Sequence, residues 1–282
     1  MDFASKKYSH SVKSWTRESS HLIGECHDLA TPIFLNFPDL DHLVKFVLAQ
    51  LFLQCHLTSE SVIFLVAQDK IWDAGILLRT VFEGTAKYLY ILNSDETEIK
   101  ERAYEFWFVL PEIADIKHSD RAKIVYDHLH LQKQPFDDLI LDEQAHKELL
   151  NKYSRGDRHK LEQRWTFLEI LKTFENTEMN PLNALSFNYG MYSHLTHMDA
   201  IACGMIRERA MKPLVNKTIA DLAHVANLIY SVCFLDIIRT EFFLKKVNRR
   251  IDAVSRLTEK YKDLYKDLHE AEQLFIRTEY PE

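Results

Sequence analysis

A chain of 282 residues, 46% of them hydrophobic and 12% aromatic, carries ample apolar material for a sizeable buried core, which excludes a disordered chain. Six Gly and seven Pro fit long uninterrupted helices and exclude the many tight turns of an all-β fold. A formal charge of −7 supplies no global attraction to a phosphate backbone, so contact with nucleic acid would need a local basic patch, and none stands out in the first 240 residues.

The predicted elements are helical from the start. Residues 9 to 30 read as an amphipathic helix that ends before Pro32, and Asp39, following Pro38, is a candidate N-cap for a second helix that breaks near Thr58. Helical character resumes over residues 59 to 69 and pauses at Lys70 and Ile71. The segment WDAGILLRTVFEGTAKYLYIL is then apolar around nearly its full circumference, as expected of a helix at the centre of a bundle. Ser94 is positioned to cap the next helix, which runs through ERAYEFWFVL towards His118, and a further helix is expected from Asp120 to Gln132, interrupted by Pro135. From Pro135 to Asn180 the pattern predicts short helical pieces, with NKYSRGDRHKLEQ as the most loop-like and mobile stretch. One helix over Asn183 to Arg209 and another over Asn216 to Lys246 complete the bundle. No internal repeat or low-complexity tract occurs.

The last segment changes character. Ile251, Val254, Tyr261, Leu268 and Phe275 fall near heptad a and d positions, with Thr258, Tyr265 and Glu272 in the remaining slots and charges elsewhere. The expected class is therefore all-α: a single multi-helix bundle over residues 1–247 and a long charged C-terminal helix over residues 248–282, which packs on its own bundle or pairs with a second copy.

Cys26, Cys55, Cys203 and Cys233 form no CxxC pair and read as reduced core residues of a cytoplasmic protein. The N-terminal stretch lacks an apolar signal region, and the most apolar run, Leu43 to Leu57, carries Lys45, Gln50, Gln54 and His56, so neither secretion nor a membrane partner is expected.

Arg79 and Glu83 lie four residues apart on the central helix, which places both charges on one face among apolar neighbours. Such charges need partners, and two readings follow. In one they pair with each other, or with Tyr192 and His197 across the bundle, and satisfy polar groups in a helical core. In the other, a pocket between this helix and the one bearing Tyr189, Tyr192, Ser193, His194 and His197 gathers a guanidinium, a carboxylate, hydroxyls and imidazoles, a set suited to phosphoryl chemistry. His197 with Glu83 would take the proton from a ribose 2′-hydroxyl, Arg79 would hold the phosphate, Ser193 would position, and Tyr189, Tyr192 and His194 would bind ligand. The same residue types suit plain binding of a nucleotide or another anion.

LLRTVFEGTAKYLYIL with Arg79 and Glu83, Arg164-Trp165, and the late NYGMYSHLTHMD together resemble a widespread bacterial helical family known only as a domain of unknown function, over roughly residues 40 to 210. Its helical layout is in turn similar to the HEPN superfamily of ribonucleases and nucleotide-binding modules of toxin–antitoxin and phage-defence systems, a looser likeness of fold. That superfamily's arginine-to-histidine signature finds a match here only from Arg121 to His128, with Ala122 where a polar residue is usual, and among 14 histidines such a match carries no information.

His194, His197, Asp199 and Glu83 fall short of a metal set, because no ExxH motif is present, so no metal and no cofactor is expected. His128 and His130 read as surface residues. Lys245, Lys246, Arg249 and Arg250 form a short basic cluster that reads as a solvated helix face, with steering of an RNA as the alternative. Two functional expectations result: a HEPN-like defence or toxin-type protein acting on RNA or a nucleotide without metal, or a non-catalytic sensor or interaction module that forms a homo-oligomer through its last helix and reports to a partner protein.

Overall fold

In the computed structural model the described residues are 3–36, 40–129, 140–249 and 251–281, and among them every regular element is helical. Twelve α-helices follow one another: α1 (Phe3–Asn36), α2 (His42–Ala67), α3 (Ile71–Leu92), α4 (Glu96–Tyr104), α5 (Leu110–Leu129), α6 (Glu143–Lys152), α7 (Arg155–Arg164), α8 (Phe167–Thr173), α9 (Ser186–His197), α10 (Ala200–Met211), α11 (Leu214–Lys246) and α12 (Ile251–Glu279). A π-helical segment, Glu105–Val109, joins α4 to α5, and a 3-10 turn, Asn180–Leu185, leads into α9. The all-α bundle expected from the sequence is what the chain forms.

The centre is α3, covered by α2 and α11 on one side and by α8 and α9 on the other, while α1 and α12 pack on α11. Small residues let α3 sit close to its neighbours. A Cβ on Gly75 would lie 2.6 Å from the Tyr192 ring, and one on Gly84 would lie 2.5 Å from the Cys55 sulfur. Both α2 and α11 are long and apolar enough to cross a bilayer, but 50% and 67% of their most apolar stretches are buried inside the bundle, as for core helices.

Several boundaries differ from the sequence expectation. Helix α1 does not stop before Pro32: the proline sits in its last turn, where the bond it removes would run to the exposed Asp28 carbonyl. Beyond it, Phe34 stacks on Phe243 at 4.0 Å and holds the final turn in the core. The break near Thr58 is absent, since Thr58 Oγ1 donates back to the Gln54 carbonyl at 2.8 Å and α2 runs through. Asp41 caps α2; Pro38 and Asp39 lie outside the described residues. Asp95, not Ser94, caps α4, accepting from the Thr97 and Glu98 amides at 2.9 and 2.8 Å, which holds its carboxyl below the usual range. Ser94 instead donates to the Tyr90 carbonyl. The chain stays helical between His118 and Asp120, so α5 is continuous there, and Pro135 lies outside the described residues.

The loop expected at NKYSRGDRHKLEQ is mostly helix. Ser154 accepts from the Asp157 amide at 3.2 Å and starts α7, a helix with no buried residue, whose polarity concealed it. The single helix expected over Asn183 to Arg209 is two, because Met198 takes a left-handed conformation (φ 50°) and Asp199 caps α10 through the Ile201 and Ala202 amides. Cys26, Cys55 and Cys233 are buried, but Cys203 is exposed on α10, which buries only Ala202.

Along α12 the buried stripe is Val254, Leu257, Leu264, Leu268 and Ala271. Its second seam runs through Leu257, Leu264 and Ala271, one position before the expected Thr258, Tyr265 and Glu272; the side chain of Ile251 lies outside the described set. The stripe packs on α11 and α1 of the same chain, with Tyr261 and Tyr265 against Tyr230.

Candidate functional site

On α3, Arg79 and Glu83 stand one turn apart, and Arg79 Nη2 lies 3.2 Å from Glu83 Oε1. The partner from across the bundle is Tyr189, near the start of α9. Its hydroxyl donates to Glu83 Oε1 at 2.9 Å and accepts from Arg79 Nη2 at 3.3 Å, and the guanidinium also lies over the tyrosine ring at 5.2 Å. Burial pushes the Tyr189 hydroxyl upward, the Arg79 contact works against this and the Glu83 contact with it, so the phenol keeps its proton as the donor. Phe167 of α8 stacks on the ring at 4.1 Å and fixes its plane. The Arg79 and Glu83 side chains are 19% and 32% exposed, so the triad is half-sunk in the surface.

The remaining predicted residues are distributed around this triad. Tyr192 is fully buried, wedged against Gly75, and donates to Asn227 Oδ1 of α11 at 3.3 Å, an oxygen that also accepts from Asn188 Nδ2 at 3.0 Å. Ser193, one turn beyond Tyr189, is half-buried and makes no side-chain hydrogen bond to the triad among the described residues. His194 Nδ1 pairs with Asp199 Oδ2 at 2.6 Å, bracing the α9–α10 turn, and this contact holds the Asp199 carboxyl down. His197 is exposed at the end of α9. Thus Arg79, Glu83 and Tyr189 come together, while Tyr192, His194 and His197 engage other partners or solvent.

Among the described residues no group of three His, Cys, Asp or Glu could hold a metal ion. Arg121 and His128 are both exposed on α5; His130 lies outside the described residues. In the basic cluster, Lys245 pairs with Glu241 at 2.8 Å and Lys246 donates to the Ser94 carbonyl at 2.8 Å; Arg250 lies outside the described residues.

A family model described as a family of unknown function, DUF5677, matches residues 45–207, more than half of the chain and the whole span that carries the triad. The chain belongs to this family. No curated protein and no solved structure matches it. The DUF5677 span runs from α2 into α10 and so takes in both helices of the triad, whereas α11, which closes the core beneath them, follows it.

Proposed function

We propose that this DUF5677 protein is a non-catalytic sensor or interaction module, in which the Arg79–Glu83–Tyr189 triad fixes α9 on α3. The closure of the triad carries this reading. Guanidinium and carboxylate neutralise each other, and the phenol bridges them, so the site offers no surplus positive charge to a phosphate. An arginine that grips phosphate keeps its planar fork free for two oxygens, whereas Arg79 Nη2 is already shared between Glu83 and Tyr189. The base candidate His197 is eight residues beyond Tyr189, about 12 Å along the helix axis, which is longer than the hydrogen-bond reach that proton transfer requires.

One observation favours a second reading. Arg79 Nε is buried with no partner among the described residues, and an oxyanion of an RNA or nucleotide would satisfy it. The protein would then be a cytoplasmic HEPN-like defence or toxin-type enzyme using Arg79, Glu83, Ser193 and His197 for metal-independent phosphoryl chemistry. Purified wild type, Arg79→Ala and His197→Ala, each checked by circular dichroism, are incubated with total RNA and also expressed in bacteria. Intact RNA and equal growth in all three is the expected result. Growth arrest with RNA fragmentation in the wild type alone would replace the module by the ribonuclease.

A further inference from the structure

Helix α2 turns an apolar stripe to the outside. Phe46, Leu53, Leu57 and Phe64 are 43%, 42%, 53% and 64% exposed, and their steps of seven, four and seven residues keep them on one face. Uncharged Gln50, Gln54 and Ser61 lie between them, and a shallow groove of about 360 Å³ runs alongside, with Leu77 of α3 as its far wall. At the N-terminal end the stripe passes onto the π-helical segment, where the exposed Trp107 meets Phe46 edge-on at 4.7 Å.

We propose that this face receives a second copy of the chain, α2 packing antiparallel on α2 around a two-fold axis at the level of Cys55. The spacing selects this occupant. Positions 46, 53, 57 and 64 are symmetric about 55, so a two-fold there sets Phe46 of one copy on Phe64 of the other and Leu53 on Leu57, each contact occurring twice, as an isologous interface demands. The electrostatics agree. Two molecules of charge −7 repel except where they meet through neutral surface, and between positions 46 and 64 α2 carries only His56, which is buried, and Glu60, which this register sets against Gln50 of the other copy.

The area suffices as well. With about 200 Å² for each large side chain, the stripe and the exposed Trp107 that meets it present roughly 450 Å² of apolar surface, comparable to the apolar part of a standard interface of about 800 Å² per partner. A lipid surface fits less well, because a helix lying in a membrane interface is flanked by Lys and Arg, and α2 has Lys45 alone. The apolar stripe of α12, by contrast, is already covered by its own chain.

Light scattering on the full chain at tens of micromolar reads the answer. Wild type is expected at twice 33.2 kDa. Leu53→Lys and Leu57→Glu, both at exposed positions, are each expected at the monomer mass, and their equimolar mixture is expected to recover the dimer, since only the mixed pair sets the new lysine against the new glutamate. A monomeric wild type, a dimer in either variant alone, or a mixture that stays monomeric overturns the proposal. A wild type that is monomeric but floats with phosphatidylcholine–phosphatidylserine vesicles assigns the face to lipid instead.

Discussion

Asp236 and Arg239 stand one turn apart on α11 with Asp236 Oδ1 2.7 Å from the guanidinium, and the side chains are 1% and 0% exposed. Ser59 of α2 donates to the second carboxylate oxygen at 2.7 Å, and Arg239 donates to Thr85 of α3, so the pair ties three core helices together. Burial, the largest single influence, would lower the arginine's pKa, yet the charge and hydrogen bond of Asp236 together with the nearby Cys55 and Cys26 outweigh it and the net shift is upward, so the arginine stays charged. Removing one partner leaves a buried charge alone: Asp236→Leu or Arg239→Leu is expected to cost about 3–5 kcal/mol by urea unfolding. The double variant Asp236→Leu/Arg239→Met is expected to be more stable than either, because no orphan charge remains. A double variant as unstable as the sum of the two losses would disprove the coupling.

At Gly75 the core tolerates no added atom. Alanine would ordinarily gain about 0.5–1 kcal/mol over glycine in a helix. Here its methyl would sit 2.6 Å from the fully buried Tyr192 ring, which cannot withdraw without breaking its bond to Asn227. Gly75→Ala is therefore expected to destabilise by about 1–3 kcal/mol. A variant as stable as the wild type in the same denaturation experiment would mean that α9 shifts freely on α3.

In the triad, Tyr189→Phe keeps the ring on Phe167 but removes the hydroxyl between Arg79 and Glu83. A loss of about 1 kcal/mol is expected, the net value of an ordinary hydrogen bond. Phe167→Ala takes out the buried ring on which Tyr189 rests and is expected to cost more, about 3–5 kcal/mol. If the triad were a ligand site with little role in packing, thermal melts of Tyr189→Phe and wild type would coincide.

Much of this was legible in the sequence and some was not, for physical reasons. The central helix declared itself through its apolar circumference, and Arg79 with Glu83 through their one-turn spacing inside it. Tyr189 could not be singled out from Tyr192, because neighbouring tyrosines on one helix look alike until it is known which hydroxyl reaches the charges of α3 and which reaches Asn227 of α11. The Asp236–Arg239 pair went unread because two charges in a long apolar helix give no hint of the Ser59 and Thr85 that await them on other helices. Cap chemistry was present but was outweighed by composition: Ser154 with Asp157 announced α7, and Asp199 announced α10.

His224 of α11 makes the fold sensitive to acid. Its ring lies between Trp72 of α3, at 5.0 Å, and Tyr192 of α9, at 6.2 Å, and neither ring nitrogen has a partner among the described residues. Burial, helped by the Arg209 charge and opposed by Asp221, brings its pKa from 6.5 down to about 4. The folded pKa lies below the unfolded one, so between about 6.5 and 4 the unfolded chain takes a proton that the folded chain refuses. The full stability is present above pH 6.5 and is lost as the pH falls towards 4, by roughly 3 kcal/mol in all. Glu272, whose pKa burial raises, works in the opposite sense over part of this range, so wild type must be compared with a variant that lacks only the imidazole. The urea midpoint of His224→Leu is expected to decline less steeply than that of the wild type between pH 7 and 4, with the two curves diverging most below pH 5. Parallel curves over that interval would mean that His224 takes up its proton in the folded state as readily as in the unfolded chain.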